Sequence, residues 1–240
     1  MPSEATKHTF VLVHGAWHGG WCWRRVSDLL TARGHEVFAP TLTGVGERAH
    51  LLSPAIGLDT HIADIVNVFE FEGIRDAMLV GHSYGGMVVT GVAERLPGRI
   101  KSIVYLDAFV PADNQSMLDI VSEEGRKQLG ETAAKSGGLS VPPIPAAVFN
   151  VNTADQAWVD SKCTVHPFKT MTDKVRTTGA RERIAKKVYV RAAGYSSPYF
   201  SMIYDKLNAD PAWRAHSLPC GHDVMVDMPE RLTEILEEVA

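Results

Sequence analysis

The pentapeptide Gly81-His82-Ser83-Tyr84-Gly85 follows an apolar run of strand length, residues 77–80, and opens a segment of helical period, residues 87–96, that Pro97-Gly98 stops. A chain passing from strand to helix in so few residues must turn sharply, with its central residue in a strained conformation. Glycines at 81 and 85 allow the strand and the helix to approach each other. The serine oxygen is then exposed at the carboxyl edge of a sheet, near the positive end of a helix. The same five residues inside a loop would be a tight turn with an idle serine. The strand before and the helix after point to a nucleophile.

The alternation continues along the chain. Strand-length apolar runs lie at 9–13, 36–39, 100–106, 187–192 and 213–218, with Pro40 closing the second. Helical period appears at 21–33, where Trp23, Val26, Leu29 and Leu30 share a face, and at 60–72, where Ile62, Ile65, Val66 and Phe69 do. A last helix is predicted over 229–239, with Pro229 at its start. Gly34 is placed to end the first helix in a left-handed conformation. Strand and helix alternating in this way make an α/β domain with a mostly parallel sheet flanked by helices. From 111 to 185 the strand signal fades, Pro142-Pro143 and Pro145 interrupt, and the flanks are polar and helical. A helical cap over 111–185, inserted after the strand ending near Asp107, is predicted there, with the core formed by 1–110 and 186–240.

A chain of 240 residues suits one such domain. Its 45% apolar and 22% charged residues are ordinary for a globular protein. The net charge of -4, with basic residues scattered, excludes nucleic acid and an acidic membrane surface as expected partners. No run approaches the roughly 20 apolar residues of a membrane helix. The start of the chain is polar, and the run 10–13 is too short for a signal segment, so a cytoplasmic protein is expected. Cys22, Cys163 and Cys220 form neither a disulfide framework nor a zinc motif.

A serine hydroxyl at its ordinary pKa needs a base. In a strand–serine–helix architecture the order is serine, acid, histidine, so the base lies late in the chain. His222, in Pro219-Cys220-Gly221-His222-Asp223, falls between the last strand and the last helix. Nine other histidines remain of the ten. His14 and His82 flank the turn and read as hydrogen-bonded shaping residues; His18, His50 and His166 read equally as pocket or solvent residues. No His, Cys or Asp set has metal spacing, and no cofactor is implied. Acyl transfer passes through an oxyanion that needs preorganised N–H donors. The Tyr84 N–H, just after the nucleophile, is one. The Ala16 N–H, in His14-Gly15-Ala16-Trp17-His18-Gly19-Gly20, is the other. A phosphate cradle is the competing reading of that loop, but it lacks G-x-G-x-x-G and Gly-Lys-Ser/Thr.

Val11-Leu12-Val13-His14-Gly15-Ala16-Trp17-His18-Gly19-Gly20-Trp21-Cys22-Trp23, Gly81-His82-Ser83-Tyr84-Gly85-Gly86 and Gly221-His222 together resemble the α/β-hydrolase superfamily. The likeness is to its small esterase and hydroxynitrile-lyase branch, which includes plant methyl esterases and bacterial carboxylesterases. It runs over nearly the whole chain and implies the α/β-hydrolase fold with 111–185 as the cap. The lyases of the branch carry a lysine beside the catalytic histidine, where this chain has Asp223, a charge that would repel cyanide. They also use a threonine at the place of Gly15. Both departures favour hydrolysis. In most of the superfamily the triad acid follows the strand that is here 187–192, yet Ala193-Gly194-Tyr195-Ser196-Ser197-Pro198 holds no carboxylate. Asp205 lies a helical turn or more beyond, and Asp223 is badly placed to reach the Nδ1 of His222. Asp107, ending the strand after the nucleophile's own, is the preferred acid, as in some lipases of the superfamily. Its apolar neighbours require that it be partnered. A turn aspartate at the start of the cap and a Ser–His dyad are the alternatives.

The expected activity is cleavage of a small carboxylic ester, carbamate or amide through a Ser83–His222–Asp107 acyl-enzyme mechanism, with Trp17, Gly15 and His82 bordering the substrate. A cyanohydrin lyase and a non-catalytic small-ligand receptor on the same fold are the rivals. A homodimer is open.

Overall fold

The computed structural model describes residues 7–240. Residues 1–6, on which the reading of the chain's start partly rests, lie outside the described residues. The elements run β1 (Thr9–Val13), α1 (Arg24–Ala32), β2 (Glu36–Phe38), α2 (Leu58–Phe71), β3 (Ala77–His82), α3 (Gly85–Arg95) and β4 (Ile100–Leu106). Then come α4 (Met117–Ile120), α5 (Glu123–Ala134), β5 (Ser140–Val141), α6 (Gln156–Lys162), β6 (His166–Pro167) and α7 (Lys169–Thr172). The chain closes with β7 (Lys186–Ala192), α8 (Pro198–Asn208), β8 (Trp213–Leu218), α9 (Val224–Asp227) and α10 (Pro229–Glu238).

Six strands form one parallel sheet in the order β2-β1-β3-β4-β7-β8. The central strands read as unbroken apolar runs because helices cover both faces of such a sheet. Phe10, Val11, Leu12 and Val13 of β1 and Met78, Leu79 and Val80 of β3 are fully buried. Each such side chain contributes about 1.5–3 kcal/mol on burial. Helix α3 packs on β3 and on α2, α1 packs on α10, and α8 covers β7 and β8. Strand β1 lies between β2 and β3, so the chain leaves β1 on one side and returns on the other. At such a switch point the loops beyond the carboxyl ends separate and leave a crevice. The loops after β1 and β3 are the two singled out in the sequence.

Three local features differ from the sequence-based expectation. The predicted helix 21–33 divides into a 3-10 turn, Gly20–Trp23, and α1. A Cβ on Gly20 would collide with the Ala39 carbonyl oxygen, so this turn is pressed against the end of β2. Leu29 is only half-buried, whereas Trp23, Val26 and Leu30 are fully buried. Second, the stretch 111–185, expected to be a helical cap with little strand signal, also holds the antiparallel ribbon of β5 with β6, two residues each. Two residues are too few to show a period. Third, the helix α8 forms where no element is assigned from the sequence; Ser197 caps it, its Oγ accepting from the Phe200 N–H at 3.4 Å, and Pro198 occupies its first turn.

Candidate active site

Ser83 stands between β3 and α3 with φ 53°, a left-handed conformation that costs a non-glycine residue about 1–3 kcal/mol. The surroundings hold it there. Its N–H donates to Leu106 O at 3.2 Å, and its carbonyl accepts from Gly86 at 3.0 Å and Phe109 at 3.1 Å. The glycines are required by close approach. A Cβ at Gly81 would lie 2.7 Å from Gly85 O, and one at Gly85 would lie 2.8 Å from Val13 O. One at Gly86 would collide with the Phe109 carbonyl oxygen. Ser83 itself is half-buried at the surface of the turn.

His222 lies between β8 and α9 and is buried. Its Nδ1–H donates to Asp107 Oδ2 at 2.7 Å, which leaves Nε2 as the unprotonated nitrogen. Asp107, fully buried and at φ 41°, follows β4. Its other oxygen, Oδ1, accepts from Arg191 Nη1 at 2.6 Å and from the Ala192 N–H at 3.1 Å. The acid thus reaches across to the end of the neighbouring strand β7. Arg191 is itself buried and donates further to the carbonyls of Ala192 and Tyr195. Arg191 is the partner that a carboxylate in an apolar setting demands, and the sequence reading missed it. Its signal was present: one arginine inside the apolar run Val188-Tyr189-Val190-Arg191-Ala192. Asp205 is exposed on α8.

The rings of His82, Tyr195, Phe149 and Phe200 surround His222 at centroid distances of 4.6, 4.8, 5.2 and 5.4 Å. His82 Nε2–H donates to His222 O at 3.0 Å, so the residue preceding Ser83 is fastened to the histidine loop. Burial first, and the neighbouring His222 ring second, push the His82 pKa well down. Among the described residues Ser83 and His222 are brought together through this contact, without a direct side-chain hydrogen bond. Catalytic hydrogen bonds are often long in the free enzyme and tighten with substrate.

The loop after β1 faces the serine turn. A Cβ at Gly15 would lie 2.9 Å from both Ser83 Cβ and His82 Nδ1, so a larger residue there displaces one of them. His14 is buried and neutral, held down to about 3 by burial; its Nδ1–H donates to Gly15 O at 2.8 Å and its Nε2 accepts from the Leu42 N–H at 3.0 Å. Trp17, with φ 67°, is buried against Phe149, and its indole N–H donates to Val141 O at 3.3 Å. His50 is exposed and His166 is buried. The three cysteines are free. No three His, Cys, Asp or Glu side chains gather as a metal-holding group among the described residues, and none of their helices is long and apolar enough to cross a membrane.

A second buried pair adjoins the first. His18 Nδ1–H donates to Ala16 O at 2.8 Å and Nε2–H donates to Asp223 Oδ2 at 3.0 Å. Both ring nitrogens face acceptors, so His18 is an imidazolium. Burial works against that charge, but the Asp223 carboxylate overrides it and raises the His18 pKa well above its ordinary 6.5. Burial likewise opposes the Asp223 charge, and His18 reverses it, leaving the carboxyl far below its ordinary range. Asp223 is therefore a carboxylate, as expected from the sequence, and its charge is paired with His18. The pair has a defined pH window. Its carboxylate share is in place above the ordinary Asp value of 3.8 and is lost as pH falls toward the lowered native value. Its imidazolium share is complete below 6.5 and is lost as pH rises through the raised native value. Asp223→Asn is expected to lower the urea midpoint, removing about 3–5 kcal/mol near pH 5–6, with the gap to wild type narrowing above pH 6.5. A gap that does not depend on pH would show that the pair is not ionic.

The model of the α/β hydrolase family matches residues 10–235. A carbendazim hydrolyzing esterase of Nocardioides sp. (strain SG-4G) is 44% identical over 239 residues, covering 95% of this chain and 97% of that one. An esterase of Oryza sativa subsp. japonica is 26% identical over 262 residues, covering 99% of this chain and 97% of that one. Among solved structures, an extracellular α/β-hydrolase from a Paenibacillus species superposes with TM-score 0.85 at 23% identity, over 97% of this chain and 99% of that chain. The fold, the matched length and the 44% identical esterase agree: this chain belongs to the α/β hydrolase family and is an enzyme of the carboxylesterase type.

Proposed function

We propose that the chain cleaves a small carboxylic ester or carbamate by acyl transfer to Ser83. The observation that carries this reading is the 2.7 Å hydrogen bond from His222 Nδ1 to a buried, charge-paired Asp107, one contact away from a strained serine. In this mechanism Asp107 holds the tautomer of His222. His222 Nε2 takes the Ser83 proton as the oxygen attacks the carbonyl, then returns it to the leaving alcohol. The Ala16 and Tyr84 N–H groups receive the oxyanion, and water activated by His222 clears the acyl-enzyme. Residues 111–185 act as the cap over 1–110 and 186–240. Trp17, Gly15 and His82 border the reacting carbonyl, and the aromatic rings around His222 favour a flat, apolar leaving group or acyl part. The reaction is placed in the cytoplasm, on a free small molecule, with no cofactor.

Within this class, the 44% identical relative brings carbamates forward, since it is named for hydrolysing carbendazim, a carbamate ester. The lyase reading loses support at Gly15, where a threonine side chain would meet Ser83 and His82. The decisive assay offers p-nitrophenyl acetate, p-nitrophenyl butyrate and carbendazim to the wild-type protein, with fluorophosphonate labelling followed by mass spectrometry. Turnover of at least one of them and a label on Ser83 are expected. A folded protein that neither turns over any of the three nor takes the label would overturn the esterase reading.

A further inference from the structure

Polar backbone groups away from water need partners, and in the loop after β1 side chains supply most of them. Gly15 O accepts from His14 Nδ1–H at 2.8 Å, and Ala16 O accepts from His18 Nδ1–H at 2.8 Å. The Trp17 N–H donates to His166 Nδ1 at 3.3 Å, and Trp17 O accepts from the Thr164 N–H at 3.0 Å. From Gly15 O to Trp17 O, one group is left over among the described residues: the Ala16 N–H, the donor assigned to the oxyanion. Two of the four fastenings, at Trp17, come from the inserted segment. They act on a tryptophan at φ 67°, a backbone conformation that a bulky residue adopts only under constraint.

We propose that His166, from β6 of the inserted segment, is a positioning residue for the oxyanion hole: it occupies the Trp17 N–H, fixes the Ala16–Trp17 peptide, and so fixes at the Ala16 Cα the far end of the adjoining Gly15–Ala16 peptide, whose N–H serves the oxyanion. This inference rests on the esterase reading above. His166 is built for the task. It is fully buried, and its ring packs on that of Tyr84 at 4.8 Å, the residue supplying the second donor. Its Nε2–H donates to Thr170 Oγ1 at 2.8 Å, and that hydroxyl donates in turn to Pro167 O at 2.7 Å. This chain of bonds assigns the proton to Nε2 and leaves Nδ1 as the acceptor that the Trp17 N–H requires. Burial and the neighbouring His61, His14 and His18 push its pKa well down, so the acceptor persists at neutral pH. The inserted segment thereby shapes the chemistry as well as covering it.

The test compares wild type with His166→Leu, which fills similar space without an acceptor, and His166→Asn, whose side-chain oxygen can take the place of Nδ1. The readouts are kcat and KM on a p-nitrophenyl ester, and hydrogen exchange of the Trp17 amide by NMR. His166→Leu is expected to lose about 10-fold to 100-fold in kcat with little change in KM, because a misaligned donor fails mainly in the transition state. Its Trp17 amide exchanges faster. His166→Asn recovers most of the kcat and the amide protection. Wild-type kcat in His166→Leu, or equal losses in both variants, overturns the proposal. If wild type turns over no ester, the esterase reading fails on its own, and unchanged Trp17 exchange in His166→Leu then decides against the clamp.

Discussion

Ser83→Ala is expected to lower kcat on the best p-nitrophenyl ester by on the order of a million-fold, with KM little changed. The side chain contributes no packing that alanine lacks except its oxygen, and alanine meets the same left-handed strain that serine already bears. The hydrogen bonds from Ser83 N to Leu106 O, and from Gly86 and Phe109 to Ser83 O, are backbone bonds and survive the change. The fold should therefore hold, and the melting temperature is the control. A residual rate about a thousand-fold above water is expected if the Ala16 and Tyr84 N–H groups still bind the oxyanion. Fluorophosphonate labelling must vanish in the same variant. A folded Ser83→Ala protein that keeps even a hundredth of the wild-type kcat would place the nucleophile elsewhere.

Asp107→Asn comes next, with an expected loss of about ten-thousand-fold in kcat. The direction follows from where the donors sit. Oδ1 of Asp107 already accepts from Arg191 and the Ala192 N–H, so the asparagine oxygen is drawn to that side. Its amide NH2 then faces His222 Nδ1, which must accept. The proton is forced onto Nε2, the nitrogen that has to be free to take the serine proton. The substitution also strands the buried Arg191 charge, at about 3–5 kcal/mol. Adding Arg191→Met separates the two effects: stability should return while kcat stays low. If Asp107→Asn keeps near-wild-type kcat while folded, His222 is oriented by something other than this carboxylate, and the dyad reading takes its place.

The elements nearest the chemistry were legible because they are local. The serine turn is a matter of five residues and two glycines whose missing Cβ atoms make room for backbone. The parallel sheet shows as apolar runs spaced by helical ones, since a strand buried on both faces is apolar along most of its length. Asp107 is legible as a candidate only through the resemblance, which looks for a carboxylate after the run 187–192 and, with none there, points to the strand end on which Asp107 lies. The break in the first helix was not legible, because it arises where Gly20 presses on Ala39, residues far apart in any helical pattern.

The sequence by itself determined the fold class, the positions of the serine, the histidine and the first loop, and the need for a partner to any buried acid. Only the tertiary structure decided who the partners are. Arg191 meets Asp107 across 84 residues, His18 meets Asp223 across 205, and His166 meets Trp17 across 149. Periodicity records which face of an element is buried, and it is averaged over many side chains. A buried polar pair depends on one atom from each of two distant segments, placed within about 3 Å by the order of strands in the sheet, and no local pattern carries that information.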